Sequence, residues 1–298
     1  MSPITLENEK AIKLIVAKIH NLPTPPIVFS QITKVVNNPN TSAYEIASII
    51  SEDPALTAKV LKLTNSSFYG ISGSITNVKQ AIVILGLEAI KSLVISASVF
   101  ETFSKTTKLD TDYLEHFWRH SLSVASMAKI ICRVKKIGSI QMNEQAFSAG
   151  LLHDIGKLII ISHLPQEHLK ISDLLKDDSK RPEDEAEREI LGFSHADIGS
   201  YLATTWNLPD SISLAIQKHH DFDSITAGRE TAIIHLADYL AHKLENLEAS
   251  THNNEGQFYV VAWQTLETEP DLEPQLLEML QEEYSKAETF MKMAQGVA

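Results

Sequence analysis

Cysteine and long apolar runs are both scarce in this 298-residue sequence. The single cysteine, Cys132, cannot close an internal disulfide. Because it lies in an apolar helical pattern, we predict a buried structural thiol. Apolar stretches such as residues 158–161 and 93–100 are short or broken by serines, well below the roughly 18 residues of a membrane helix. Residues 1–10 lack the basic start and apolar block of a secretory signal. We therefore expect a cytoplasmic protein that does not bind membranes.

Positive charge is also in short supply. The formal net charge is −12, and acidic runs lie at residues 183–189 and 264–283. Such a charge repels a phosphate backbone, and the sequence has no dense basic patch, so we expect no nucleic-acid partner. The acidic runs themselves are typical of solvated helix faces.

Strand-like alternation is nearly missing, whereas apolar residues recur at helical spacing along almost the whole chain. This pattern predicts an all-α protein. The predicted helices before residue 108 cover residues 5–21, 27–37, 42–52, 54–66, 77–85 and 87–104. A longer helix begins near Asp112 and ends at Gly138, and a second one, from Asn143, runs through residues 150–160. Four more helices follow, and an amphipathic segment at 271–294 closes the chain.

The stretch GLLHDIGKLII, residues 150–160, places three polar residues in an apolar run. Burying His153, Asp154 and Lys157 is costly unless they are paired or bind an ion. On one helix, neighbouring His153 and Asp154 can both reach a single point that lies off the helix between them, and a metal ion satisfies this geometry. Lys157 follows His153 by one helical turn, where it could meet an anion such as phosphate.

A metal site needs more ligands, and suitable residue types occur on other predicted helices. The candidate ligands are His120, His153, Asp154, His195, His219, His220 and Asp238. Imidazole and carboxylate donors suit Fe, Mn, Zn, Ni or Co, and Asp154 could bridge two ions, so one or two ions are predicted. A buried hydrogen-bonded network without metal is the alternative. Surface or packing roles are assigned to the histidines at 20, 163, 168, 235, 242 and 252.

The ordered pattern H, HD-x-x-K, H, HH and D resembles the metal site of HD domains, specifically the HD-GYP branch. A second resemblance, to the HDOD family, extends over residues 18–225. It is carried by the stretch from LPTPPIVFSQ to SSFYG, by WRHSLSVA and AFSAGLLHDIGKL, and by the stretch from LGFSHADIG to QKHH. This resemblance implies an N-terminal helical subdomain at 1–108, an HD-type metal-binding core at 109–248 and a C-terminal helical extension at 249–298. It also implies a bacterial signalling protein, with Fe or Mn as the favoured metal.

The sequence differs from HD-GYP enzymes at two places, and these differences bear on which reaction and which ligands are expected. The paired histidines are followed by DFDSITAGRE, without the GYP loop, so cyclic di-GMP hydrolysis is not expected. Some relatives carry a glutamate for a further metal one turn before the first histidine, and here that position holds His116, which could still act as a ligand.

Two functions therefore stay open. The first is a regulatory output module with an HD-type, dinuclear metal site and an unidentified signalling protein as partner. The second is a metal-dependent phosphohydrolase that acts on a small phosphate-containing ligand, with Asp154 and Lys157 as catalytic residues. The regulatory function is favoured, because an enzyme would not require the N-terminal helices to be joined to the metal-binding half. In those helices, Asn65, Ser66 and Ser67 fit cap and turn roles as well as a binding role.

Overall fold

The fold was examined in a computed structural model, which describes residues 31, 32, 35, 42–106, 109–178, 181–220, 228–249 and 259–295. Throughout these ranges the regular elements are helices, and none of the described residues forms a strand. The all-α prediction is confirmed. The predicted helix at 5–21 and most of the one at 27–37 lie outside the described residues.

Four helices lie between residues 43 and 106, after the helical residues 31, 32 and 35. They are α1 (Ala43–Ser51), α2 (Pro54–Thr64), α3 (Val78–Leu85) and α4 (Leu87–Thr106). The first three begin where a polar side chain accepts a hydrogen bond from a free amide of the first turn: Ser42 from Glu45 N, Asp53 from Ala55 N and Asn77 from Gln80 N. These N-caps explain why the predicted starts of these helices agree with the structure to within one residue.

The loop after α2 is closed by Asn65. Its side-chain amide donates to the carbonyls of Leu61 at 2.9 Å and Ile75 at 2.8 Å. Its Oδ1 accepts from Ile75 N at 2.7 Å. The Ser66 hydroxyl donates to Leu63 O at 2.6 Å. Both side chains therefore have cap and turn roles and serve the fold.

Eight helices form the central part of the chain. They are α5 (Thr111–Lys135), α6 (Ile140–Leu152), α7 (Ile155–His163), α8 (Pro165–Asp177), α9 (Glu183–Leu191), α10 (His195–Thr205), α11 (Asp210–Lys218) and α12 (Gly228–Ala249). Two more helices, α13 (Tyr259–Thr265) and α14 (Glu273–Gln295), follow, with a 3₁₀ turn at Pro270–Leu272 between them. Helix α8 was not among the predicted elements.

Helix α5 lies at the centre of the packing, in contact with α6, α12 and α14. Its close approach to α6 depends on Gly150, because a Cβ at this position would lie 2.8 Å from the Cα of Ala125. One continuous hydrophobic core runs from the N-terminal helices to α14. Cys132 is fully buried in this core, which confirms the prediction of a structural thiol.

Within the described ranges, no single helix is both long and apolar enough to cross a bilayer. One bent pair, Ile140–His163 with Pro165–Asp177, meets that test by length and composition, with an angle of 114° between its halves.

The prediction of one continuous helix through residues 150–160 is wrong. Helix α6 ends at Leu152 and α7 begins at Ile155, so His153 and Asp154 lie at the junction. Asp154 has φ −98° and ψ 5°, outside the helical region, and its carbonyl accepts from Lys157 N at 2.8 Å. An aspartate in this place commonly caps the following helix with its side chain. Here it makes no such capping bond, and the carboxylate stays available for the centre described next.

Candidate metal centre

The structure brings all seven predicted ligands together in one region of the helical core. They are contributed by α5, the α6–α7 junction, the start of α10, the end of α11 and the middle of α12. All are buried apart from His220, which is partly buried. The ligands are His120 on α5, His153 and Asp154 at the junction, His195 on α10, His219 and His220 after α11, and Asp238 on α12.

The first cluster comprises His120, His153 and Asp238, together with one oxygen of Asp154. Asp238 Oδ1 lies 3.1 Å from His120 Nε2 and 3.5 Å from His153 Nε2. Asp154 Oδ2 lies 3.4 Å from His153 Nε2 and 3.9 Å from His120 Nε2. The ligand atoms of His120, His153 and Asp238 are near enough to one another to hold a metal ion.

The second cluster comprises His195, His219 and His220 with the other oxygen of Asp154. Asp154 Oδ1 lies 3.2 Å from His195 Nε2 and 3.5 Å from His219 Nε2. His220 Nε2 lies 3.0 Å from His195 Nε2. Asp154 therefore presents Oδ2 to the first cluster and Oδ1 to the second.

Backbone carbonyls set the direction of two of these imidazoles. His153 Nδ1 donates to Gly150 O at 2.7 Å, and His219 Nδ1 donates to Ile216 O at 2.6 Å. When Nδ1 carries the proton, Nε2 presents a lone pair. The Nε2 atoms that face Asp154 are therefore prepared to act as ligands.

His195 is oriented by Glu187, a residue that the sequence interpretation missed. Glu187 Oε2 accepts from His195 N at 2.7 Å and from His195 Nδ1 at 2.6 Å. The acidic run 183–189 was predicted to be a solvated face, and this is wrong for Glu187, which is 2% exposed. Its distance of four residues from core-facing Leu191 was the available signal. A carboxylate behind a histidine ligand fixes the ring and raises its basicity.

Helices α7 and α10 meet closely at Gly156, next to the centre. A Cβ on this residue would lie 2.0 Å from the carbonyl oxygen of His195 and 2.6 Å from Cγ2 of Ile198. Only glycine allows this approach. Because Asp154 precedes α7 and His195 begins α10, the contact sets how far apart these two ligands lie.

Lys157 lies between two carboxylates. Its Nζ is 2.8 Å from Asp154 Oδ2 and 3.0 Å from Glu183 Oε2. Its side chain is 16% exposed, so the ammonium is beside the centre but still reached by solvent. The predicted phosphate contact would therefore have to replace Glu183, which occupies the outer side of the ammonium.

Two further residues of α12 reach the first cluster, and neither was predicted to. His242 Nε2 lies 3.4 Å from Asp238 Oδ1, and Glu245 Oε1 lies 3.1 Å from His120 Nδ1. His242, which was assigned a packing or surface role, is partly buried and contacts a predicted ligand. Spacings of four and seven residues from Asp238 place both side chains on one helical face, and this was the usable signal.

The remaining histidines are placed as follows. His116 is exposed and belongs to none of the possible metal-holding groups among the described residues. His235 packs against the backbone carbonyl of His219. His163 contacts Ser162 at 2.8 Å. The histidines at 20 and 252 lie outside the described residues.

The carboxylates of the centre stay charged. Burial by itself would raise the pKa of Asp154, but the charges of His153 and Lys157 outweigh it and hold this pKa well below its usual range. Burial likewise opposes ionisation of Asp238, whose pKa is held low mainly by His242, His120 and His153.

The imidazoles divide into two groups. Burial lowers the pKa of His120, but hydrogen bonds to Asp238 and Glu245 prevail and raise it to about 10. In the same way Glu187 overcomes burial and raises the pKa of His195 to about 10. Burial lowers the pKa of His219 to about 4. His120 and His195 therefore favour their protonated forms, whereas His219 favours its neutral form.

Three buried atoms of the centre that could ligate a metal have no well-formed hydrogen bond: His153 Nε2, Asp154 Oδ1 and His219 Nε2. An unsatisfied buried polar atom costs about 1–3 kcal/mol, and more if it is charged. These atoms converge from both clusters, and imidazole with carboxylate is a donor set that divalent transition metals accept. The residues therefore fit a bound metal.

The chain belongs to the HDOD domain family, whose sequence profile matches residues 22–222. This confirms the resemblance drawn over residues 18–225. A solved structure from Shewanella amazonensis, described as a candidate phosphohydrolase, has 24% identity and a TM-score of 0.75, covering 97% of this chain and 98% of that one. A candidate signal transduction protein from Marinobacter aquaeolei has 19% identity and a TM-score of 0.74, covering 98% of this chain and 67% of that one. At these identities the likeness establishes the fold.

A curated relative from Treponema pallidum, an uncharacterized protein, is 25% identical over 218 residues. The match covers 73% of this chain and 41% of the relative, so the chain spans less than half of that protein's length.

Proposed function

We propose that this protein is a signal-transduction module of the HDOD family that binds two divalent metal ions. The observation that carries the proposal is the position of Asp154, with Oδ2 toward the first cluster and Oδ1 toward the second. His153 Nε2 and His219 Nε2, one in each cluster, are buried without a hydrogen-bond partner. A carboxylate between two sets of bare imidazole nitrogens is the donor arrangement of a bridged two-metal site.

Iron and manganese are the metals that we favour, with zinc, nickel or cobalt as alternatives. The clusters combine nitrogen and oxygen donors and contain no thiolate, since Cys132 is the only cysteine of the chain. Mixed imidazole and carboxylate sites with open positions suit iron, whereas soft metals prefer sulfur ligands.

Helix α6 connects the centre to the N-terminal helices, which supports a signalling role. Its C-terminal end leads directly into His153. Farther back, Ser92 of α4 donates to Glu144 O at 3.0 Å, and Ser148 Oγ donates to Ser92 Oγ at 3.2 Å. Metal occupancy would fix the end of α6, and the packed contact would pass any shift to α4. The N-terminal helices would then present a surface that a signalling protein reads.

Elemental analysis after anaerobic purification, with iron and manganese supplied and no chelator, tests the metal proposal. The wild type should carry close to two ions, and Asp154→Asn should lose tight binding at both positions because the bridging carboxylate is removed. Asp173→Asn is the matched control, since the Asp173 side chain is 72% exposed on α8. A wild type without bound transition metal, or an Asp154→Asn variant with the full content, would contradict the proposal.

Hydrogen exchange tests the signalling role separately. Metal loading should slow exchange at the amides of α6 and α4 in the wild type, and it should have no such effect in Asp154→Asn. Metal-loaded protein whose α4 exchanges as fast as the chelated form would leave the metal site in place and remove the proposed coupling.

A metal-dependent phosphohydrolase is the second candidate, and Lys157 is the observation that favours it. Bound divalent ions supply Lewis-acid chemistry toward a phosphate ester. Lys157 is a point charge on a flexible stem, suited to hold one phosphate oxygen once Glu183 moves away. Asp154 keeps the ammonium at the centre through the 2.8 Å contact. The description of the Shewanella amazonensis protein agrees with this candidate.

Product analysis with two substrates separates the candidates. We expect slow cleavage of a nitrophenyl phosphodiester that depends on Asp154, and little or no cleavage of cyclic di-GMP. Selecting a bulky cyclic dinucleotide needs remote contacts that position the scissile bond. The sequence after His220 lacks the GYP motif, and residues 221–227 lie outside the described ranges. Robust, Asp154-dependent linearisation of cyclic di-GMP would make the protein a specific enzyme.

A further inference from the structure

We propose that His242 is a direct ligand of the metal ion in the first cluster, so that each cluster supplies three imidazoles. The inference rests on the proposed two-metal function and adds a residue outside the ordered H, HD, H, HH and D pattern. His242 lies on α12, one turn after Asp238, and its side chain is 29% exposed.

The surroundings of Asp238 Oδ1 carry the inference. Three imidazole Nε2 atoms surround this one oxygen: His120 at 3.1 Å, His153 at 3.5 Å and His242 at 3.4 Å. Asp238 itself is 5% exposed. A single carboxylate oxygen in contact with three ring nitrogens is a place where a cation could replace the direct contacts and gain donors from several side chains.

The other ring nitrogens show where the protons of two of these imidazoles belong. His120 Nδ1 donates to Glu245 Oε1 at 3.1 Å, and His153 Nδ1 donates to Gly150 O at 2.7 Å. In their neutral forms both rings then direct bare Nε2 lone pairs at the Asp238 oxygen. Without metal, a proton on His120 Nε2 satisfies the 3.1 Å contact with Asp238, and a metal ion would take the place of that proton.

His242 follows the same orientation as His120. The two rings lie side by side, with centroids 4.3 Å apart and an interplanar angle of 33°. His242 Nδ1 lies 3.8 Å from Glu245 Oε2, on the same side as the His120 Nδ1 contact. Glu245 therefore faces the Nδ1 atoms of both rings, and Asp238 faces both Nε2 atoms. Two neighbouring imidazoles between the same two carboxylates would each supply one nitrogen to the ion.

With His242 included, the two clusters become alike. The first would offer three imidazoles, all in contact with Asp238 Oδ1, together with Asp238 itself and Asp154 Oδ2. The second offers three imidazoles and Asp154. His242 also lies within reach of a metal-holding group with His120 and Glu245. Three nitrogens and two oxygens leave an open position on a six-coordinate iron or manganese ion, where a phosphate or water oxygen could bind. The His242 side chain is 29% exposed, so this side of the first cluster lies near the protein surface.

The experiment measures the affinity for Mn²⁺ and the number of tight ions by competition with a chromogenic chelator. The wild type is compared with His242→Ala, His242→Phe and the control His168→Ala. Phenylalanine keeps a ring against His120 but has no donor atom, which separates ligation from stacking. His168 is partly buried on α8, away from the cluster, and controls for loss of a histidine.

We expect both His242 variants to retain one tight ion and to bind the other about 10- to 100-fold more weakly, as for loss of a supporting metal contact. His168→Ala should match the wild type. If His242→Phe binds both ions like the wild type, His242 is no ligand, although the two-metal proposal survives. A wild type that binds no ion would instead overturn the two-metal proposal and this inference with it. Circular dichroism of each variant establishes that a loss of metal is not a loss of fold.

Discussion

The N-terminal helices and the central helices use polar side chains in different ways. In α1 to α4, polar side chains close the backbone: Asp53 caps α2 by accepting from Ala55 N at 2.9 Å, and Asn65 closes the following loop with three hydrogen bonds. In α5 to α12, donor atoms of His153, Asp154 and His219 converge without such partners. In the first region Tyr69 Oη and Ser98 Oγ are also buried without a partner, but they are isolated hydroxyls. In the second region the unpartnered atoms are imidazole nitrogens and a carboxylate oxygen that converge on one centre.

Both regions nevertheless share one hydrophobic core, so their stabilities should not be independent. The contrast lies in what each polar residue contributes. A substitution in the N-terminal helices should change the free energy of unfolding and leave metal affinity unchanged. A substitution around the centre should change metal affinity, alone or together with stability.

The largest expected effect is that of Gly156→Ala, which should destabilise the protein by about 3 kcal/mol, the upper range for overpacking. The new Cβ would lie 2.0 Å from a backbone carbonyl of α10, which cannot move without displacing His195. Denaturant unfolding and metal titration should both report losses. Gly199→Ala is the control, because its nearest obstacle is a side-chain methyl of Ile216 at 3.0 Å. Equal stability of the two variants would show that the α7–α10 contact is not tight.

Glu187→Gln should weaken metal binding about tenfold, with a smaller effect on stability. The amide still accepts a hydrogen bond from His195, but it no longer supplies the charge that raises the pKa of this imidazole. Metal affinity is measured as for the His242 variants. Glu185→Gln, on the exposed face of the same helix, should behave as the wild type. Equal metal affinity of Glu187→Gln and Glu185→Gln would disprove the role of Glu187.

Asn65→Ala should lower the free energy of unfolding by about 1–2 kcal/mol through the backbone groups of Ile75 that lose their partner. Metal content and affinity should stay at wild-type values, because the residue serves only the loop after α2. Asn77→Ala, which removes the cap of α3, should give a similar stability loss. A fall in metal affinity with Asn65→Ala would break the division between the two regions.

The smallest effect is expected for Glu183→Gln. Its side chain is 41% exposed, so the pair with Lys157 should contribute less than about 1 kcal/mol to stability. Removing its charge should make Lys157 more available to anions, and inorganic phosphate should bind the metal-loaded protein more tightly. Isothermal titration measures this, with Asp173→Asn as the control for an exposed carboxylate. Phosphate binding that is unchanged or weaker would argue against Lys157 as an anion contact.

Much of the fold and most of the candidate site could be predicted from sequence, and the failures are informative. Helix starts at Ser42, Asp53 and Ser194 follow from local capping. The break between α6 and α7 could not be predicted, because GLLHDIGKLII has uninterrupted helical periodicity. The break lies next to Gly156, where α10 packs closely against the start of α7. This contact involves residues about 40 positions apart in sequence.

The missed residues have a different cause. Glu187 and His242 belong to patterns that usually indicate solvated or packing positions, an acidic run and an isolated histidine. Their roles depend on residues far along the chain: Glu187 contacts His195, and His242 contacts His120 of another helix. Periodicity within one helix identifies a buried face but not the element that covers it.

The sequence alone was enough to establish the all-α class, the ends of many helices and the types of metal ligand that the chain can offer. Periodicity, capping and side-chain chemistry act over a few residues, so they can be read from the sequence. Only the tertiary structure decided which of the twelve histidines face a shared carboxylate. It assigned the oxygens of Asp154 to two different clusters, and it placed Glu187 and Glu245 behind the imidazoles. These relations depend on how five segments pack against one another, and such packing is set by contacts between residues that are distant in sequence.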